Sequence, residues 1–253
     1  MTFVFLFAVA FVGGALNAVA GGGSFLALPA LMSAGIGAVS ANATTTLAMW
    51  PGSLSSVIAY RREVGHATSW LWRLGVTSLV GGLLGAWLLV RTSDARFLHL
   101  LPWLMLAAAL TFTFGGHLVA RLRPKSAASA LHGDRSQVPW WILLFQLMIA
   151  IYGGYFGGGM GIMMLAGFAV AGMTDIHEMN ALKTVLAVAI NGLALAEFII
   201  DGAISWPPGI VMVAGGIAGG YLGAAIARKL PQPFVRITVI AVAWVMTAYF
   251  FLR

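Results

Sequence analysis

Cysteine is absent from the 253 residues. That excludes disulfides, Cys-ligated zinc and thiolate-held iron–sulfur clusters, and says nothing about compartment. Charge is scarce. Asp, Glu, Lys and Arg make up 8% of the chain while hydrophobic residues make up 60%, against roughly 25% charged in a soluble globular domain. This balance excludes an ordinary soluble fold and predicts an integral membrane protein embedded in a lipid bilayer. Acid is scarcest, with 7 Asp and Glu against 14 Lys and Arg and a formal net charge of +7. In a soluble protein that excess would suggest nucleic acid. Here the basic residues cluster in short loops between apolar runs, as the positive-inside bias requires, and no nucleic-acid partner is expected. The five histidines, at 66, 99, 117, 132 and 177, are scattered without a helical pair, so no metal site is expected. No Gly-Lys-Ser/Thr follows a glycine cluster and no Rossmann strand precedes one, which excludes a phosphate loop and an ATP-driven engine. No base stands near Ser24 to activate it as a nucleophile. Neither an enzyme nor a cofactor is expected.

Glycine is abundant, with 32 in the chain. Most glycines in lipid let helix backbones approach closely, because packing replaces the hydrophobic driving force there. Two clusters call for a different reading. Gly21-Gly22-Gly23-Ser24-Phe25-Leu26 and Gly157-Gly158-Gly159-Met160-Gly161-Ile162 interrupt apolar runs where a spanning helix should continue. Backbone freed from helical hydrogen bonding is tolerated at membrane depth only where it lines an enclosed or watery cavity, so two such breaks point to a substrate site.

Apolar stretches run over about 3–20, 24–37, 41–60, 70–90 and 97–120, then 139–156, 160–172, 179–200, 206–227 and 234–252. Between the two sets of five lies a segment with Arg121, Arg123, Lys125, His132, Asp134 and Arg135 among small residues and Pro124. The predicted organisation is an all-α polytopic membrane protein with a first transmembrane repeat at 1–120, a cytoplasmic linker at 121–138 and a second repeat at 139–253. The first two stretches of each set are short. A span needs about 20 residues, and 10 to 14 fits a re-entrant piece, so each half predicts a glycine-broken short helix pair followed by three spanning helices. Met1 to Ala20 imitates a signal peptide at Ala18-Val19-Ala20 but lacks a basic start, and no cleavage is expected. Trp70, Trp72, Trp103, Trp140, Trp141 and Trp206 lie near segment ends, as in an interfacial aromatic belt.

The halves repeat one another. Gly81-Gly82-Leu83-Leu84-Gly85-Ala86 recurs as Gly219-Gly220-Tyr221-Leu222-Gly223-Ala224, an offset of 138 (219 − 81). Asn42 maps onto Asn180, Thr46 onto Thr184 and Arg91 onto Lys229 at that offset, while Gly22 and Gly158 are offset by 136. Loop charge predicts opposite insertion of the two halves. Arg61, Arg62, His66 and Arg73 follow the third stretch of the first half, whereas the equivalent loop of the second carries Glu197 and Asp201 and no basic residue. Placing 61–73 and 121–138 in the cytoplasm also places Arg228, Lys229 and Arg236 there, and leaves Arg91, Asp94, Arg96 and the C-terminus outside. Each repeat then crosses an odd number of times, which makes inverted-topology repeats; Arg91 and Arg96 run against the trend.

Candidate site residues follow from the breaks and from polar helix openings about 20 residues later. Ser40-Ala41-Asn42-Ala43-Thr44-Thr45-Thr46 and Met179-Asn180-Ala181-Leu182-Lys183-Thr184 are such openings. Their donors, with the positive end of the helix dipole, suit an anion; equally, Ser40 or Asn42 caps a helix and the threonines bond back to carbonyls. Lys183 sits within an apolar run where the offset puts Thr45 (183 − 138), and either counters an anionic substrate or snorkels to the headgroups. Asn17 and Asn191 are amides in apolar surroundings, suited to a substrate or to helix–helix glue. Glu197 and Asp201 are either proton acceptors or solvated ends, and His177 and Glu178 face water at a helix start. Pro51 and Pro29 kink their segments.

These motifs, in this order and duplicated, resemble the TauE/SafE family of sulfite exporters and organosulfonate permeases. The residues that carry the resemblance are Asn17 to Leu31, Ala41-Asn42-Ala43-Thr44 running to Trp50-Pro51-Gly52, Gly153 to Gly161, and Asn180-Ala181-Leu182-Lys183 running to Asn191-Gly192. The resemblance implies a multi-pass permease of the bacterial inner membrane for small sulfur-containing anions such as sulfite or sulfonates. The expected site comprises Gly22, Gly23, Ser24, Asn42, Thr45, Thr46, Gly158, Gly159, Asn180, Lys183, Thr184 and Asn191, worked by alternating access with ion or proton coupling. A passive anion channel and a non-transport membrane scaffold are the alternatives, and a homodimer is compatible with all three.

Overall fold

A computed structural model describes residues 1–20, 22–59, 68–122, 138–227 and 232–252. Gly21, Arg61, Arg62, His66, most of the linker, Arg228 and Lys229 lie outside the described residues, as does the side chain of Arg236. Ten helices occur among the described residues. They are α1 (Thr2–Ala20), α2 (Ser24–Ser33), α3 (Ala38–Ala59), α4 (Thr68–Val90), α5 (Asp94–Leu122), α6 (Trp140–Tyr155), α7 (Met160–Val170), α8 (Ile176–Ile200), α9 (Trp206–Ala227) and α10 (Gln232–Leu252).

Three of them contain stretches long and apolar enough to cross a membrane, at Trp70–Val90, Asp94–Arg121 and Ile176–Ile200. The outer surface agrees with lipid. Trp72 and Trp140 are 74% and 75% exposed, and such side chains recur over much of the surface, where water would favour aggregation. Most of the tryptophans read as a belt open or precede a helix end; Trp103 instead lies well inside α5 and packs edge-on against Phe251, 5.2 Å away.

The chain breaks at both glycine clusters. α2 and α7, of 10 and 11 residues, span about 15 Å, half a hydrocarbon core. Both stop at a left-handed glycine. Gly35 (φ 86°) donates to Met32 O at 3.0 Å and Ile36 N–H to Leu31 O at 3.2 Å. Gly172 (φ 92°) donates to Ala169 O at 3.1 Å and Met173 N–H to Phe168 O at 3.0 Å. This paired arrangement satisfies the last carbonyls and turns the chain back.

The repeated glycine motif is the seam between the halves. The largest helix contacts are α1 with α9 and α4 with α6, so the first helix of each half packs on the fourth helix of the other. Gly14 abuts Gly216 and Gly219 abuts the Phe11 carbonyl; Gly154 abuts Gly82 and Gly85 the Ile151 carbonyl, and a Cβ on any of the four would strike backbone. α3 meets α8, where Trp50 Nε1 donates to Val188 O at 3.0 Å. Those two residues hold the same position of the two halves (188 − 50 = 138).

Overpacking a helix seam costs roughly 1–3 kcal/mol. Gly219→Ala is therefore expected to lower the melting temperature in detergent by several degrees, whereas Gly75→Ala, inside α4 with nothing within 4 Å of the added methyl, leaves it the same or slightly higher. Equal melting of the two variants contradicts the seam.

Candidate functional site

The polar openings lie inside their helices, not at the ends. α3 begins at Ala38 and α8 at Ile176, one turn before Asn42 and Asn180. The reason is that carboxylates, not amides, take the first N–H groups. Asp94, at the start of α5, accepts from Val39 N at 2.9 Å. Asp175 accepts from His177 N at 2.7 Å and Glu178 N at 3.4 Å. An anion at either start would meet a carboxylate already in place. No side chain caps the starts of the two short helices, α2 at Gly23 and α7 at Gly159.

Asn42 and Asn180 have diverged in role. Asn42, 2% exposed, donates to Tyr155 O at 3.0 Å and so ties α3 to the last residue of α6, at the edge of the second break. Asn180 turns back on α8, donating to Ile176 O at 2.9 Å, and accepts from Lys183 Nζ at 3.2 Å. Thr46 and Thr184 donate to Asn42 O at 3.2 Å and Asn180 O at 2.7 Å, the back-bonding expected of threonine inside a helix. Thr45 does not. Among the described residues its hydroxyl is the one buried side-chain polar atom with no hydrogen-bond partner. Leaving it so costs about 1–3 kcal/mol.

The two breaks differ. At the first, buried Gly22 and Gly23 are wedged by neighbours: a Cβ on Gly23 would meet Gly13 O, Met49 Sδ at 2.8 Å and Asn17 Cβ at 3.0 Å, and one on Gly22 would meet Val239 Cγ1 at 2.7 Å. Gly23 is right-handed (φ −61°) and Ser24 opens α2 half-buried. Asn17 reaches Ser53 Oγ at 3.5 Å, joining α1 to α3 as glue. At the second break Gly157 (φ 88°) and Gly159 (φ 81°) are left-handed on either side of buried Gly158. Two left-handed positions so close together are open to glycine without a Cβ penalty and turn the chain sharply between α6 and α7. Gly157 lies beside Asn191, whose Oδ1 is 3.9 Å from where a Cβ would stand, and Gly161 lies under the Lys183 stem, where an added Cβ would stand 3.2 Å from Cδ. Asn42 and Asn191 thus flank the second break, and Lys183, bonded to Asn180, lies beside the first turn of α7.

α3 links the two breaks. Asn42, Thr45 and Met49 share one face (i, i+3, i+7); Asn42 touches the second break and Met49 the first. The unpartnered Thr45 hydroxyl lies on that face, and its equivalent on α8 is Lys183. Glu197 is half-buried and Asp201 exposed at the far end of α8, and His177 is exposed at its start.

Three residues escaped sequence reasoning. Tyr152 donates to Gly158 O at 2.6 Å, Asp94 caps α3 from another helix, and Gln146 Nε2 donates to Ser78 Oγ at 2.8 Å in a buried bridge between α6 and α4. Only Gln146, a lone amide in an apolar run, carried a signal.

Removing a cap costs about 1 kcal/mol. Asp94→Ala is expected to lower thermal stability by about that amount while Asp94→Asn keeps most of it; an Asp94→Ala variant as stable as the wild type means that the carboxylate does not cap α3.

The sequence pattern described as "Sulfite exporter TauE/SafE" matches residues 6–250. A "Probable membrane transporter protein" of Haemophilus influenzae is 31% identical over 244 residues, 96% of this chain and 92% of the relative. A "Probable membrane transporter protein YfcA" of Escherichia coli strain K12 is 30% identical over 245 residues, 96% and 87% of the two. A "Probable membrane transporter protein ORF9" of Sinorhizobium sp is 29% identical over 244 residues, 94% and 90%. No solved structure matches the chain. With nearly its whole length matched and its relatives' names indicating a membrane transporter, the chain belongs to the sulfite exporter TauE/SafE family.

Proposed function

We propose that the protein is a secondary transporter that moves a small sulfur-containing oxyanion, such as sulfite or a sulfonate, across the bacterial inner membrane by alternating access. The observation that carries this reading is the pair Thr45 and Lys183. At one offset, on equivalent faces of α3 and α8, one half presents a buried hydroxyl without a partner and the other a cation lying across the start of α7. Thr45 lies toward the end of α8, since its neighbour Thr44 accepts from Ser205 N at 3.0 Å, and Lys183 lies toward the start of α8, bonded to Asn180. The two offer donors at separate points along the path between the halves, and at the second break an oxyanion accepts from the N–H groups and from the positive end of α7. The family description, sulfite exporter, supports a sulfur oxyanion as the cargo.

The mechanism is two inverted repeats rocking about the site. Helix contacts support it, because exchanging the halves maps α1 with α9 onto α6 with α4, and α4 with α8 onto α9 with α3. The ends of the helices support it as well. Met1 and Thr2 line one surface cavity with Ser33 and Ala34, and Asp94 holds the start of α3, so α1, α3 and α5 leave the same end of the bundle. The first half therefore starts at one end and finishes at the other, and the second half begins from there. With Arg73 and Arg121 at the cytoplasmic end, Met1 and Asp94 lie outside. The absence of a phosphate-loop motif from the sequence supports an ion or proton gradient as the driving force.

Charge-assisted hydrogen bonds contribute roughly 1.5–3 kcal/mol. Lys183→Ala in proteoliposomes is expected to cut sulfite flux at low substrate by about 10- to 100-fold while leaving the protein monodisperse; wild-type flux in that variant rejects the site. Accumulation against a gradient, abolished by an uncoupler, distinguishes a carrier from a passive anion channel, which only equilibrates.

A further inference from the structure

We infer that Tyr152 is a positioning residue of the transport site, its hydroxyl fixing which way the peptide between Gly158 and Gly159 faces. The inference rests on the proposed anion site at the second break. Tyr152 holds both ends of that break. Its backbone carbonyl accepts from Phe156 N at 2.9 Å and Gly157 N at 3.3 Å where α6 ends. Its hydroxyl donates to Gly158 O at 2.6 Å just before α7 begins. The ring is set by a T-shaped contact with Phe156, centroids 6.0 Å apart, and Gly158 is a glycine because a Cβ there would stand 2.8 Å from that same Phe156 ring.

A peptide unit is planar and trans, so its C=O and N–H point in opposite directions. With the Gly158 carbonyl turned to Tyr152, the Gly159 N–H faces away from it, and the carbonyl lone pairs are withheld from an anion. Lys183 and Asn191 approach the break from α8, whereas the Tyr152 hydroxyl lies against α5, with Leu104 O at 3.3 Å as a second acceptor. One hydroxyl proton cannot serve both carbonyls. When it turns to Leu104, the Gly158 peptide, flanked by the left-handed Gly157 and Gly159, is released to rotate. Tyr152 thereby selects between a break that offers N–H groups to the anion and one that presents a carbonyl.

Full-length protein in liposomes, with sulfite as probe, tests this. Tyr152→Phe keeps the ring and is expected to raise KM about tenfold, the worth of one hydrogen bond, with Vmax within twofold and the melting temperature unchanged. An unchanged KM overturns the inference, as does a joint fall of Vmax and melting temperature, which marks a merely structural bond. Should the phenylalanine variant misfold, 3-fluorotyrosine at 152, near-isosteric and a stronger donor, is expected to lower KM, and no change overturns the inference. Lys183→Ala run alongside separates the readings. Wild-type flux in that variant rejects the site itself, whereas lost flux there with a normal Tyr152→Phe rejects only the positioning role. Wild-type protein that neither binds nor moves sulfite, sulfonates or sulfate rejects both.

Discussion

Backbone N–H and C=O groups inside a bilayer have no water to bond, so any residue that leaves a helix there must find a partner within the protein. The arrangement around both glycine breaks follows from that constraint. At the second break Tyr152 accepts from two N–H groups and donates to one carbonyl, and Asn42 reaches from α3 to the Tyr155 carbonyl. α7 then starts on a left-handed glycine with no side chain to cap it. What is left open, N–H groups at the start of a short helix beside a lysine, is what an anion can use.

The same constraint explains why the halves are not equivalent despite their common pattern. Gly23 is right-handed and wedged between α1 and α3, so the first break serves close packing; the second turns the chain through two left-handed glycines. Asn42 and Asn180 are the same residue type at the 138-residue offset. One now bridges to the other half and the other steadies Lys183. The repeated pattern supplies two equivalent faces, and Lys183 puts a basic side chain on one of them where the other has Thr45.

Much was legible in the chain because lipid imposes a simple code. Helical class, ten segments, both breaks and the membership of the TauE/SafE family could be read from apolar runs and glycine clusters, since hydrophobicity and a missing Cβ act locally. The short helices were legible as short, and their half-crossing length became clear only from Gly35 and Gly172. The polar openings were misplaced by one turn, because the residues that cap them are Asp94, 55 residues away from Val39, and Asp175, which lies just outside the motif.

By itself the sequence determined that this protein lives in lipid, breaks its backbone twice at matching places, and carries Lys183 where its other half has Thr45. Those properties depend on composition and spacing along the chain. Tertiary structure alone decided which glycines form seams, that Tyr152 orients the second break, and that Thr45 is left without a partner between the two breaks. Each of those depends on which atoms from distant segments come within hydrogen-bond or van der Waals reach, and spacing along one chain does not specify that.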